Sequence, residues 1–208
     1  MIDCHREGDL WVVTLNRPDK ANSLTAAMLE RLTDIVMEAT VDPHIKALVL
    51  TGAGDKVFSA GADLDEARAG LATSPLWEQV SGGIAALPCL TIAALNGTLA
   101  GGAFGMALAC DLRLAVPDAR FFYPVAKLGF LPQPSDPGRL VALMGPARAK
   151  LLLMGGQKLT ADEAYAFGLV DRITLPEHLM DQARHLAADA LAGKPEVLQR
   201  IKEMCGGR

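Results

Sequence analysis

From Cys89 to Cys110 the chain carries no charged residue, a stretch long enough to cross a membrane as a helix, and its Gly101-x-x-x-Gly105 spacing is one that lets membrane helices pack. The order of residues argues otherwise. Leu90-Thr91-Ile92-Ala93-Ala94-Leu95 reads as a short buried strand, and Asn96-Gly97 is a turn dipeptide. Only afterwards does an Ala/Gly/Leu run resume helical character. Strand, turn and glycine-led helix in one uncharged segment describe the centre of a globular α/β core, and no membrane partner is expected.

The chain has 208 residues, half of them apolar, enough to bury one good core without disulfide staples. Twenty basic against 24 acidic residues give a net charge of −4, and no Lys/Arg run interrupts that balance, so nucleic acid is not expected as a partner. Cys4, Cys89, Cys110 and Cys205 are scattered, far from the histidines and without a C-x-x-C, which argues against a metal site and fits a reducing cytoplasm. Met1 to Glu7 contains no apolar run of the kind a secretory signal needs.

Leu10–Leu15 is a strand closed by the turn-like Asn16-Arg17-Pro18-Asp19-Lys20. Thr25 caps a helix reaching about Thr40, with Met28, Leu32, Ile35, Val36 and Ala39 on one face. Lys46–Thr51 is a strand whose Val/Leu content predicts burial on both faces. Short helices are expected over 63–71 and 77–87, and further strands at Leu112–Val116 and Phe121–Tyr123. From Ser135 the pattern turns helical, over Arg139–Met144 and Ala147–Met154, and stays so apart from Val170–Ile173. Alternation of this kind predicts an α/β fold with a helical C-terminal region, divided here into a core over 1–174 and a short helical region over 175–208.

Common catalytic templates are missing. There is no G-x-S-x-G elbow, no phosphate-binding G-x-x-x-x-G-K-[ST], and Gly52-Ala53-Gly54 lacks the third glycine of a dinucleotide fingerprint. Two segments share a different logic. Phe58-Ser59-Ala60-Gly61-Ala62-Asp63-Leu64 and Gly101-Gly102-Ala103-Phe104-Gly105 are built of tiny residues, which let a ligand approach the main chain. Free N–H groups at a helix start suit an oxygen gaining negative charge. Taken alone, the same glycines are better explained by close helix–sheet packing.

The motifs Asn16-Arg17-Pro18-Asp19-x-x-Asn22-x-Leu24, Leu48-Val49-Leu50-Thr51-Gly52-Ala53-Gly54, Phe58 to Leu64, and Asn96-Gly97-x-x-x-Gly101-Gly102 running to Cys110-Asp111 occur in the order and spacing of a known group. Leu128-Gly129-x-x-Pro132, Ala149-Lys150-x-Leu152-Leu153-Met154-x-Gly156 and Ala161-x-Glu163-Ala164-x-x-x-Gly168-Leu169-Val170 continue the match. Over roughly residues 8–180 the chain resembles the enoyl-CoA hydratase/isomerase (crotonase) family. The resemblance implies a spiral of ββα turns forming two sheets, assembly as a homotrimer or hexamer, an acyl-CoA thioester ligand, and no cofactor beyond the coenzyme A of the substrate. It places an oxyanion hole at the Ala62 and Gly102 N–H groups. Ala60, Ala62, Asp63 and Leu64 match the segment that lies along coenzyme A, and Lys20 and Ala21 match the first loop that touches it.

Two departures stand out. The positions of the family's hydratase glutamates hold Gly105 and Val125. An oxyanion donor is worth about 3 kcal/mol and a positioned acid or base ~10²–10⁴-fold, so this chain keeps the first and lacks the usual second. Isomerase- or decarboxylase-like chemistry is therefore favoured over hydration, against the alternatives of a non-catalytic acyl-CoA-binding member or a slow hydratase. For proton transfer the candidates are Tyr123 and Lys127, which share a face with Val125 if the segment is extended. A core aromatic and a surface lysine are the plainer readings of the two. Gly105 is expected to open room for a bulky acyl group, Ser135-Asp136-Pro137 to be a helix cap, and Asp111 to be structural. The region 175–208, shorter than in other members, is expected to cover less of the acyl pocket.

Overall fold

A computed structural model describes residues 1–206. Its strands are β1 (Ile2–Glu7), β2 (Leu10–Leu15), β3 (Ala47–Gly52), β4 (Val57–Ser59), β5 (Leu90–Leu95), β6 (Thr98–Ala100), β7 (Leu112–Ala115), β8 (Arg120–Phe122), β9 (Leu159–Thr160) and β10 (Arg172–Ile173). The helices are α1 (Ala26–Val41), α2 (Leu64–Arg68), α3 (Leu76–Ala86), α4 (Phe104–Ala109), α5 (Val125–Leu128), α6 (Asp136–Leu153), α7 (Ala161–Phe167), α8 (Leu179–Ala192) and α9 (Pro195–Cys205). Among the described residues no helix is long and apolar enough to cross a membrane.

The strands form a six-stranded sheet in the order β1-β2-β3-β5-β7-β10 and a four-stranded sheet in the order β4-β6-β8-β9. Three times in succession the chain lays one strand in the large sheet and the next in the small one, then enters a helix: β3, β4, α2; β5, β6, α4; β7, β8, α5. These are the ββα turns of the spiral. Because β4 pairs with β6 and β6 with β8 in parallel, the three strands end side by side. Whatever follows each of them is therefore gathered at one edge of the small sheet, where open α/β sheets present their ligand sites.

The central strands are apolar because they are covered on both faces: all of β3 is buried, as is β5 from Thr91 onward. Helix α1 begins where expected, with the Thr25 hydroxyl accepting from the Met28 N–H at 3.2 Å, and buries Met28, Leu29, Leu32, Ile35, Val36 and Ala39. The two helical stretches expected after Ser135 are one helix broken at Gly145, whose φ of 79° and ψ of 163° leave the helical region ahead of Pro146. Strand β1 was not anticipated: its polar Asp3, His5, Arg6 and Glu7 mask it, yet it pairs antiparallel with β2 as the sheet's edge, where polar side chains are tolerated.

One expectation is corrected. Residues 123–127 are not extended: after Pro124 the chain turns into α5, which closes at Gly129 with φ 75°. The period-2 argument that placed Tyr123, Val125 and Lys127 on a common face does not apply.

Candidate active site

Asn22 and Asn96 hold the loop leading to β4. The Asn22 amide donates to the Ala53 and Val57 carbonyls at 2.9 and 2.8 Å and accepts from the Arg17 N–H at 2.9 Å. Asn96 accepts from the Gly52 N–H at 3.0 Å and donates to the Gly54 carbonyl at 2.9 Å. At the end of β4 the Ser59 hydroxyl is fully buried, donating to the Asn22 carbonyl at 2.8 Å and accepting from the Gly61 N–H at 3.2 Å. That engagement removes Ser59 as a nucleophile. The buried thiols of Cys89 and Cys110 are pushed up to about 11 and about 12 by desolvation and are equally inert.

Gly61 must be glycine, for its φ is +89° and a β-carbon there would lie 3.0 Å from the Ala100 carbonyl and 3.3 Å from the Gly102 nitrogen. The loop carrying Ala62 thus rests on the turn carrying Gly102. Main-chain bonds fix its course: the Leu24 N–H donates to the Gly61 carbonyl at 2.8 Å and the Asp63 N–H to the Leu24 carbonyl at 2.8 Å. Gly102 lies in the 3-10 turn that opens α4, where the first N–H groups have no partner within the helix. Ala62 and Gly102 line the same cleft of about 160 Å³, together with Ala60, Leu64, Trp77 and Tyr123. Its wall is apolar, with Val125, Leu128, Phe130 and Leu131 toward the mouth.

The other residues singled out in the sequence are placed as follows. Asp63 caps α2 and meets Arg17 at 2.7 Å. The hydrogen bond from that guanidinium holds its carboxyl below the usual carboxylate range. Ala21 abuts the loop through the Ala60 N–H, which donates to its carbonyl at 3.0 Å. Lys20 is exposed and outside the cleft lining, and Lys127 is likewise exposed on α5 and outside it. Asp111 is structural, accepting from the Thr91 N–H and hydroxyl and from Lys202 Nζ.

Tyr123 is both a cleft residue and a buried one, at 2 % exposure, with its ring stacked on Phe104 at 5.2 Å. Its hydroxyl donates to Asp136 Oδ2 at 2.9 Å. Asp136 is the residue that sequence reasoning misjudged. It is fully buried, and it does not cap α6: the preceding Ser135 makes no side-chain cap bond but donates its hydroxyl to Glu78 at 2.6 Å. Burial pushes the Asp136 carboxyl up to about 7, although the Tyr123 hydrogen bond and the charge of Arg139 pull it down. Among the described residues neither its Oδ1 nor the Ser81 hydroxyl has a hydrogen-bond partner. Oδ1 faces Gly105: a β-carbon there would lie 3.2 Å from it and 3.5 Å from Ser81 Cβ. Gly105 therefore does not enlarge the acyl pocket as expected, because its free space is taken by a carboxylate from another helix. In the sequence Asp136 stands only in a helix start, and no local signal separates a buried acid there from a cap.

A cleft lined by Ala62 and Gly102 at the shared end of three parallel strands in a ββα spiral is the arrangement of the crotonase fold. The chain belongs to the enoyl-CoA hydratase/isomerase family, whose model matches residues 5–206. It is 37% identical over 205 residues to the carnitinyl-CoA dehydratase of Salmonella arizonae, covering 96% of this chain and 77% of the relative. To the short-chain-enoyl-CoA hydratase of Clostridium acetobutylicum it is 35% identical over 203 residues, covering 95% and 78%. Among solved structures, the enoyl-CoA hydratase of Bacillus anthracis superposes with a TM-score of 0.93 at 32% identity, covering 99% of this chain and 82% of that one. Pseudomonas aeruginosa DspI gives 0.92 at 31%, covering 99% and 86%.

Proposed function

We propose that the protein binds an acyl-CoA thioester in the cleft at the ends of β4, β6 and β8 and stabilises its enolate through the Ala62 and Gly102 N–H groups. Two main-chain donors fixed by the fold need no reorganisation as charge develops on the thioester oxygen, and a donor of this kind is worth about 3 kcal/mol in the transition state. The small residues Ala60 and Gly101 let the thioester reach the backbone, and the apolar wall of Val125, Leu128, Phe130 and Leu131 receives the acyl chain.

The observation that carries the choice of reaction is the absence of a carboxylate at both Gly105 and Val125. Hydration needs one group to activate water at the β-carbon and another to deliver a proton at the α-carbon. Val125 is apolar in the cleft wall, so water has no base there. Isomerisation or decarboxylation needs only the enolate and one proton-transfer group, and Tyr123, a residue of the cleft lining, is the candidate. Proton exchange at the α-carbon of a bound acyl-CoA in heavy water tests the reading. Exchange above the solvent background, with hydration of crotonyl-CoA far slower than in efficient hydratases, is the expected result. Hydration at the rate of those enzymes overturns the preference for isomerase- or decarboxylase-like chemistry.

A further inference from the structure

We propose that Tyr123 and Asp136 form a single proton-transfer pair, with Tyr123 exchanging the proton with the substrate carbon and Asp136 holding it behind the cleft wall. The proposal rests on the enolate reading above and names the group that moves its proton. Asp136 is a positioning and reservoir residue that acts through Tyr123; it does not itself line the cleft.

Three features set this pair apart from a structural hydrogen bond. First, a buried carboxylate with one oxygen unpartnered is expensive, and its one close cation, Arg139, stands 3.9 Å from Oδ1, beyond hydrogen-bond reach. An asparagine would keep the contact to Tyr123 without that cost. Second, the Gln133 N–H donates to the Tyr123 hydroxyl oxygen at 3.4 Å while the hydroxyl hydrogen goes to Asp136. The phenol is thus held on two sides, and the proton between it and Asp136 lies along one fixed contact. Third, the acid occupies space at Gly105 that the family's glutamate position would fill, so the fold keeps a carboxylate near this point by a different route.

The bonds balance as follows. To form the enolate, the substrate C–H breaks and its proton goes to the Tyr123 oxygen, while the Tyr123 O–H proton passes to the ionised Asp136. The electron pair left on carbon is delocalised onto the thioester oxygen between the Ala62 and Gly102 N–H groups. Protonation is the reverse: Tyr123 gives its proton to the α- or γ-carbon and regains one from neutral Asp136. Where the enolate arises by loss of carbon dioxide, Asp136 is left ionised and is reprotonated by water after release.

The titratable groups that act on Asp136 are Tyr123, Arg139 on its own helix and Glu78 of α3; α4, which meets it at Gly105, carries no titratable side chain. Because abstraction requires the ionised acid, exchange should rise with pH and level off with a midpoint near 7.

The test is α-proton exchange of bound butyryl-CoA and phenylacetyl-CoA in heavy water between pH 5 and 9, with thioester affinity measured alongside. For Tyr123→Phe, which keeps the ring on Phe104, and for Asp136→Asn, which keeps an acceptor for the phenol, exchange should fall by ~10²–10⁴-fold with affinity retained. The double variant should be no slower than either single one, as for residues acting as a unit. Wild-type exchange and pH profile surviving in either single variant, or losses that multiply, overturn the pair and leave the enolate reading standing. Thioester binding with no wild-type exchange overturns the enolate reading and the pair with it. If Asp136→Asn does not fold, a flat wild-type profile from pH 5 to 9 still overturns the pair.

Discussion

The Asp136 carboxylate stands where a side chain on Gly105 would begin: a β-carbon there would sit 3.2 Å from Oδ1. The two positions, on α4 and α6, exclude each other's side chains. Even alanine at 105 would force a shift of a few tenths of an ångström, and glutamate would bring a second carboxylate against the first. Gly105→Glu is expected to destabilise the protein, and Asp136→Gly added to it should recover much of the loss. A double-mutant cycle by urea denaturation checks this, with a coupling of about 0.5–3 kcal/mol expected for residues in contact. Strictly additive effects would show that the two positions do not share this space.

Stability should depend on pH through Asp136. Its folded pKa of about 7 lies above the ordinary value of 3.8, so the native state binds the proton more tightly than the unfolded chain does. The contribution is fully present below about pH 4, declines as pH rises toward 7, and is absent above. Asp136→Asn should remove that decline, raising Tm at pH 8 more than at pH 4.5, by ~2–4 °C for each kcal/mol recovered in a chain of this size. Calorimetry at the two pH values measures it, and an equal shift at both would refute the assignment.

Gly102→Pro removes one of the two amide donors and should lower exchange or turnover by ~10²–10³-fold. Gly102→Ala keeps the N–H but sets a methyl 3.3 Å from the Trp77 ring, so it controls for crowding. A proline variant no slower than the alanine variant would exclude the Gly102 N–H from the reaction.

Asn22→Ala should be among the more damaging single changes outside the cleft. Asn22 is buried at φ 50° and serves the Arg17 N–H and the Ala53 and Val57 carbonyls. Each buried main-chain group left unpaired costs about 1–3 kcal/mol, and alanine is less tolerant of the left-handed region than asparagine. The expected readout is a lower urea midpoint at unchanged m. An unaltered midpoint would mean the loop before β4 is held by other contacts.

The main-chain path was largely written in local pattern. Leu10–Leu15 is a strand, and Thr25 caps a helix with the apolar face expected, because side-chain periodicity and capping chemistry act over a few residues. The two loops that line the cleft were legible for a related reason: only glycine permits backbone to approach backbone as Gly61 approaches Gly102, and such residues are visible in any sequence. Strand β1 and helix α5 were not. The first is an edge strand whose charges hide its alternation until β2 pairs with it, and the second is four residues held between Pro124 and Gly129.

Asp136 shows the boundary most clearly. In sequence, Ser135-Asp136-Pro137 is a helix start and nothing more, since an acid at that place is ordinary beside a helix dipole. Whether it faces water or the core depends on how α6 lies against α4 and the end of β8, and no local rule contains that. Residue types and their spacing determined the fold and the two loops, of Ala62 and Gly102, that line the cleft. Only packing among distant segments decided that one carboxylate would be buried, half-paired and set behind Tyr123.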